Sequence, residues 1–278
     1  MNFSDCRKPF LILTATVALL LPDTIVSAGE LANLSTRGLV GTGDDVLIGG
    51  IIVTGNPSKR VILRAIGPPL DAGVLQDPIL DLHSAGNTLQ TNDDWRYGPE
   101  LEIEASNLAP AGDYDSAIIA NLGSGNYTAI IHGYAHSTGI ALVEAYDLDL
   151  GGGSHLAQMS TRGHVRTGND ILIGGFILSN GATNVLLRAI GPELTASGVS
   201  NALQNPTLEL RDANGALIEA NDDWKSDNQQ AITATGAAPS DDRESAIVRT
   251  LSVGSYTALV RGQNNTTGIA LVEIYRLP

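Results

Sequence analysis

The sequence predicts an all-β protein: two tandem antiparallel β-sandwich domains, made by internal duplication and placed behind an export signal. Three observations predict it. Residues 31–148 recur as residues 156–277, with Leu47-Ile48-Gly49-Gly50 and Leu63-Arg64-Ala65-Ile66-Gly67-Pro68 matched by Leu172-Ile173-Gly174-Gly175 and Leu187-Arg188-Ala189-Ile190-Gly191-Pro192. Short β-branched and aliphatic runs alternate with Gly, Asn, Asp and Ser clusters, the pattern of many short strands. The repeat period is too long for a solenoid or a propeller blade.

The leader comes first. Residues 1–28 read as a signal peptide, with Arg7 and Lys8 before an apolar run from Pro9 to Leu21 and small residues at Val26-Ser27-Ala28. That run is short for a membrane span. The other reading is an uncleaved N-terminal anchor. No later segment has the length and apolarity of a span, so no membrane insertion is expected after cleavage. The expected location is secreted: extracellular, periplasmic or on the cell surface. Cys6 is the single cysteine and lies in the leader. The mature chain is therefore expected to hold no disulfide and no thiolate metal site.

Bulk composition narrows the partners. The chain of 278 residues carries 30 acids against 16 bases, a net charge of −14. Such a field repels nucleic acid and disfavours anionic membranes, while it attracts divalent cations. Hydrophobic residues make up 43%, enough to fill two β cores without cross-links.

The copies are read in parallel. Both open on Ser-Thr-Arg-Gly, at residues 35–38 and 160–163. Val46 to Thr54 and Ile171 to Ser179 are apolar runs whose Gly-Gly pair suggests a bulge or a close backbone approach. Arg60 to Ile66 and Val185 to Ile190 read as strands. Pro69 to Val74 and Glu193 to Val199 suggest one helical turn each. Thr207 to Asp212 and Ala216 to Asn221 flank Asn214-Gly215, a strong hairpin signal because both residues accept positive φ; Ala85-Gly86-Asn87 stands at the matching place. Asn126 to Gly133 with Gly139 to Tyr146, and Ser255 to Gly262 with Gly268 to Tyr275, suggest a last antiparallel pair in each copy. Residues 149–155, Asp-Leu-Gly-Gly-Gly-Ser-His, read as a flexible linker on which the two domains would move.

Candidate chemistry centres on acids. Asp93 and Asp94 open a loop that Asp113 and Asp115 close; Asp222, Asp223, Asp242 and Glu244 occupy the matching positions. Four carboxylates at two loop ends suit calcium, which takes six to eight oxygens. A solvated loop with Asx-turns is the competing reading. Residues 41–50 also resemble one nonapeptide unit of RTX calcium-binding β-rolls, although a lone Gly-Asp turn entering a strand explains them as well.

Arg64 and Glu144 each share a strand face with apolar residues, as do Arg188 and Glu273. A charge there is costly unless paired, so the expected structural ion pairs are Arg64 with Glu144 and Arg188 with Glu273. Arg37 and Arg162 are rival partners. Trp95 and Trp224, the only tryptophans, either stack on sugars or plug one end of the core. The histidines, His83, His132, His136, His155 and His164, have no histidine at the matching position of the other copy. No nucleophile elbow or phosphate loop is present, so no catalytic residues are assigned and the chain is read as a non-enzyme.

The Asn-Asp-Asp-Trp segments (92–95 and 221–224), Ser245-Ala246-Ile247 with Gly254-Ser255-Tyr256-Thr257, and Ser116-Ala117-Ile118 with Gly125-Asn126-Tyr127-Thr128, resemble the end of bacterial pre-peptidase C-terminal domains. The resemblance covers the second half of each copy. It implies a jelly-roll-like sandwich that serves secreted bacterial proteins as a non-catalytic accessory. The opening halves resemble instead repeats of large bacterial surface proteins of unestablished role. The expected function is thus binding or adhesion at the bacterial cell surface or matrix, to an extracellular protein or polysaccharide. The alternatives are a structural spacer with no ligand, and a hydrolase or hydrolase accessory.

Overall fold

The computed structural model describes residues 29–67 and 73–278. The expected signal peptide and most of the first expected helical turn lie outside the described residues. Copy one contains β1 (Glu30–Val40), β2 (Leu47–Gly55), β3 (Lys59–Ile66), β4 (Pro78–Ser84), β5 (Asn87–Asn92), helix α1 (Glu100–Ala105), β6 (Ser116–Leu122), β7 (Gly125–Gly133) and β8 (Gly139–Asp147). Copy two contains β9 (Ser154–Val165), β10 (Leu172–Ser179), β11 (Thr183–Ile190), helix α2 (Pro192–Ala196), β12 (Pro206–Asp212), β13 (Leu217–Asn221), helix α3 (Gln229–Ala234), β14 (Ser245–Leu251), β15 (Gly254–Gly262) and β16 (Gly268–Arg276). Among the described residues no helix is long and apolar enough to cross a membrane.

Alternation decides which face is buried. In β2, Leu47, Gly49, Ile51 and Val53 turn inward; in β7, Ala129 and Ile131 do so. The ladders run β6-β3-β8-β1-β10-β15-β12-β13 on one side and β14-β11-β16-β9-β2-β7-β4-β5 on the other, all antiparallel. The two layers face each other: a Cβ at Gly49 of β2 would lie 3.3 Å from Val143 of β8, and one at Gly174 of β10 would lie 3.5 Å from Val272 of β16. One hydrophobic cluster runs through both copies.

Each ladder is therefore half copy one and half copy two, which differs from the expectation of separate bodies on a loose tether. Strand β1 pairs with β8 of its own copy on one edge and with β10 of the other copy on the second. Strand β9 does the same between β16 and β2. Equivalent residues meet where the copies cross. Leu39 bridges His164, and the Thr161 hydroxyl bonds the Thr36 hydroxyl at 2.8 Å, both threonines fully buried. Close approach explains the repeated Ser-Thr-Arg-Gly: a Cβ on Gly38 would come within 2.7 Å of Leu47, and one on Gly163 within 3.0 Å of both Leu47 and Leu172.

The Gly-rich connector is held rather than free. Ser154 and His155 already belong to β9. The Gly151 amide donates to Glu30 at 2.9 Å, and the Lys59 ammonium donates to the Asp149 carbonyl at 2.8 Å. The Gly49-Gly50 pair proves to be a close approach and not a bulge: a Cβ on Gly50 would lie 2.5 Å from the Ser160 hydroxyl oxygen, and the β2 ladder shifts register at Ile52/Val53, not at the glycines.

A second difference concerns the expected last pairs. Strands β7 and β8 do not pair; β7 lies between β2 and β4, and β8 between β3 and β1. The connection carries Ala135 and His136 at positive φ and takes the chain across the sandwich instead of back along one sheet. Asn264 and Asn265 do this in copy two, so β15 and β16 are likewise separated. The hairpins at Gly86 and Gly215, both at φ 79°, join β4 to β5 and β12 to β13 as their turn residues require.

Candidate functional site

The loop between β5 and β6 builds one end of copy one. Trp95 opens it and is buried, against Ile62 of β3, Ala117 of β6 and Ile103 of α1. Its indole N–H donates to the Gly112 carbonyl at 3.0 Å. Helix α1 is short and acidic; Ile103 is its buried residue, and it lids this small outer core. Trp224 repeats the arrangement with Leu186, Ile232 and Ala246. The tryptophans are plugs, and no ring face is left for a sugar.

The expected acid quartets do not converge. Asp115 is buried and accepts the Gly67 and Gly112 amides at 2.9 and 3.1 Å, a structural clamp. Burial pushes its carboxyl upward despite these two bonds. Asp113 pairs with Arg96 at 2.7 Å on the surface. In copy two, Glu244 clamps Gly191 and Glu193, Asp242 pairs with Lys225, and Asp222 accepts from Gln263. The Asp223 carbonyl accepts from Asn221, much as Asp94 receives Asn92 in copy one.

A different group does form. Asp77, Asp93 and Asp94 bring one carboxylate oxygen each within 4.8 Å of one another. Asp77, just before β4, was missed because it lies outside the loop that contains the others. One oxygen each of Asp77 and Asp93 is buried without a hydrogen-bond partner. Both carboxyls are pushed upward, by burial first and then by their acidic neighbours, while His132 pulls Asp93 down. Three oxygens of this kind could hold a hard cation, with the rest of its shell from water. Copy two has Asn205 in place of Asp77.

Two exposed tyrosines are linked to this trio through the backbone. The Tyr134 amide donates to the Asp77 carbonyl at 2.9 Å and the Tyr97 amide to the Asp94 carbonyl at 3.0 Å, so both tyrosines are tied to residues of the trio. Tyr114 sits between Asp113 and Asp115. These three are 88% (Tyr97), 65% (Tyr114) and 54% (Tyr134) exposed, and Leu101 of α1 is 82% exposed. Copy two has Ser226, Gln230, Arg243 and Gln263 at the positions of Tyr97, Leu101, Tyr114 and Tyr134. Next to Tyr134 runs a groove of about 430 Å³, floored by Ile48 and Ile130 and walled by His132, His136 and Arg162. His132 bonds Asp81 at 3.0 Å.

The paired charges sit elsewhere. Arg64 donates to Glu144 from Nε at 2.9 Å, to the Leu108 carbonyl at 2.7 Å and to the Tyr146 hydroxyl. Arg188 repeats this with Glu273 at 2.7 Å, the Ala237 carbonyl and Tyr275. Each guanidinium thus bolts the loop after a helix to the outer sheet face, a structural task.

No family model and no curated protein matches the chain. Among solved structures, PNGF-II is similar at 12% identity with a TM-score of 0.24, over 91% of this chain and 57% of that one. A likeness of that degree supports neither a fold nor an activity.

Proposed function

We propose that the protein is a secreted, non-catalytic binding protein of the cell surface or matrix, and that it binds through the loop end of copy one. One observation carries the reading: Tyr97, Leu101, Tyr114 and Tyr134 of copy one are all exposed, and Tyr97 and Tyr134 are tied by their backbone amides to two residues of one acid trio, in a chain with only seven tyrosines. Exposed tyrosines on a rigid scaffold are a common way to make contact area at small entropic cost. A spacer needs only solvated polar surface there, which is what copy two carries at these positions. A hydrolase needs convergent perturbed groups in a pocket; Glu244, whose carboxyl is pushed up to about 7, is instead fully buried against backbone amides. The likeness of each copy's second half to pre-peptidase C-terminal domains, which are accessories, agrees with binding.

The test uses copy two as donor. Tyr97→Ser, Leu101→Gln, Tyr114→Arg and Tyr134→Gln together place on copy one residues that the same fold already carries. The full chain should bind intact cells or matrix of the producing organism, and the fourfold variant at least tenfold less, since contact tyrosines are worth about 1 kcal/mol or more each. Equal binding by both proteins would refute the assignment.

The orphaned oxygens of Asp77 and Asp93 favour calcium as a second feature of this end. A native-state ligand at ten times its dissociation constant adds about 1.4 kcal/mol, a rise of roughly 3–5 °C in melting temperature for a chain of this size. Asp77→Asn, the residue of copy two, should abolish the rise. Identical melts in millimolar calcium and in chelator would remove the idea.

A further inference from the structure

We propose that the groove beside His132 and His136 in copy one is a socket for an arginine side chain carried by a partner polypeptide, its aliphatic stem on Ile48 and Ile130 and its guanidinium on the turn of residues 41–45. The template lies inside the molecule. At the matching place in copy two, Arg261 reaches the turn before β10 and donates from Nη1 to the Gly168 carbonyl at 3.1 Å. Leu259, two residues earlier on β15, shares its strand face and pairs with Ile173 of β10, so that face carries an aliphatic floor. Copy one keeps the parts that receive the arginine. Ile48 and Ile130 pair in the same way and floor a groove of about 430 Å³. The turn has the same shape: the Gly41 and Arg166 amides donate to the Asp45 and Asp170 carbonyls, both at 2.8 Å, and Gly43 and Gly168 sit at φ 62° and 68°. The arginine itself is replaced by His132.

Two further observations favour a cation as the occupant. His132 is drawn away from the turn, its Nε2 lying 3.0 Å from Asp81. In copy two the matching acid, Glu209, accepts from Arg211 at 2.9 Å, which leaves Arg261 for the turn. The local charge has shifted as well. Around this one turn copy one loses two cations, with Gly41 for Arg166 and His132 for Arg261, and gains an acid, with Asp44 for Asn169. All three changes run toward negative charge and suit a ligand that brings its own guanidinium, which the net charge of −14 also attracts. Arg162 on the groove wall is no obstacle, because its counterpart Arg37 shares the copy-two turn with Arg261, donating to the Asn169 carbonyl at 3.3 Å. The occupant in copy two is a side chain on a strand, and the same chemistry delivered from outside is an arginine of a peptide. The socket adjoins the tyrosine face without using it, so neither reading depends on the other.

The experiment is an NMR titration of the full chain that follows the imidazole signals of His132 and His136. The probes are acetyl-Gly-Arg-Gly-amide, its citrulline analogue, which keeps the shape without the charge, and agmatine. The arginine peptide should shift both histidines saturably, while His155 stays in place and the citrulline peptide moves none of them. His83→Arg with His132→Arg rebuilds the copy-two arrangement, one arginine for Asp81 and one for the groove. Read at His136, it should weaken the peptide about tenfold or more with the melting temperature unchanged. Asp44→Asn, again the residue of copy two, should weaken it too. Leu217→Arg with Val253→Arg adds two arginines at exposed sites of copy two and should leave binding as it was. No shift with the arginine peptide, equal shifts with citrulline, unchanged binding in the His83/His132 variant, or equal loss in both double-arginine variants would each overturn the proposal. If agmatine binds and the peptide does not, the groove takes a free cation and the polypeptide partner falls.

Discussion

Glu244→Gln is expected to stabilise the protein near pH 8 by up to about 3 kcal/mol and to leave it little changed near pH 4. Glu244 is fully buried, one oxygen accepting the Gly191 and Glu193 amides at 3.1 and 2.9 Å, the other without a partner. Burial, more than the charge of Glu193, pushes the carboxyl from 4.5 up to about 7, although the two amides pull the other way. A raised folded-state value means that the folded protein holds a proton that the unfolded chain releases. The stabilising contribution is complete below about pH 4.5, is lost as pH rises through 7, and stays lost above it. Glutamine keeps the acceptor oxygen and offers an N–H toward Glu193, whose own Oε2 is also buried and unpartnered. Urea midpoints across this range should slope downward for the parent and flatten for the variant. A variant destabilised equally at both ends would show that the carboxyl is neutralised by no shared proton and serves only as a clamp.

The strands were legible because alternation and turn residues are local. Leu47, Ile51 and Val53 announce an inward face, and Asn214-Gly215 a hairpin, without reference to the rest of the chain. Partner choice was not legible. Period-two patterning tells which face of β1 is buried, not whether its edge meets β10 or another strand. The signal that existed was the repeated Ser-Thr-Arg-Gly: small residues at the same place in both copies, as close self-packing around Thr36 and Thr161 demands. The acids show the same limit. Spacing put Asp93, Asp94, Asp113 and Asp115 together, but Arg96 takes Asp113 and backbone amides take Asp115, while Asp77 arrives from the bend before β4. Arg64 with Glu144 was readable because a charge on an apolar face has few ways to be satisfied. The tyrosines were not, since exposure is a property of the folded surface.

The connector gives the other large effect: Lys59→Met should cost about 3–5 kcal/mol, the usual consequence of stranding a buried charge. Lys59 is fully buried, its ammonium 2.8 Å from Asp147 and 2.8 Å from the Asp149 carbonyl. Asp147 in turn accepts the Asp149 amide at 2.8 Å, so the pair grips both backbone polar groups of one residue at the start of the glycine run. Burial already pushes the Asp147 carboxyl upward even with Lys59 beside it, so removing the cation leaves a group that cannot stay ionised cheaply. The double variant Lys59→Met with Asp147→Leu should recover much of the loss, because the penalty belongs to the unpaired partner rather than to the absent bridge. A local effect should accompany the global one. With the grip gone, residues 149–153 should exchange amide hydrogens and admit protease faster, while the β1–β10 and β9–β2 ladders stay protected. If Lys59→Met left both stability and connector protection unchanged, the glycine run would be held by Glu30 and its β9 continuation alone.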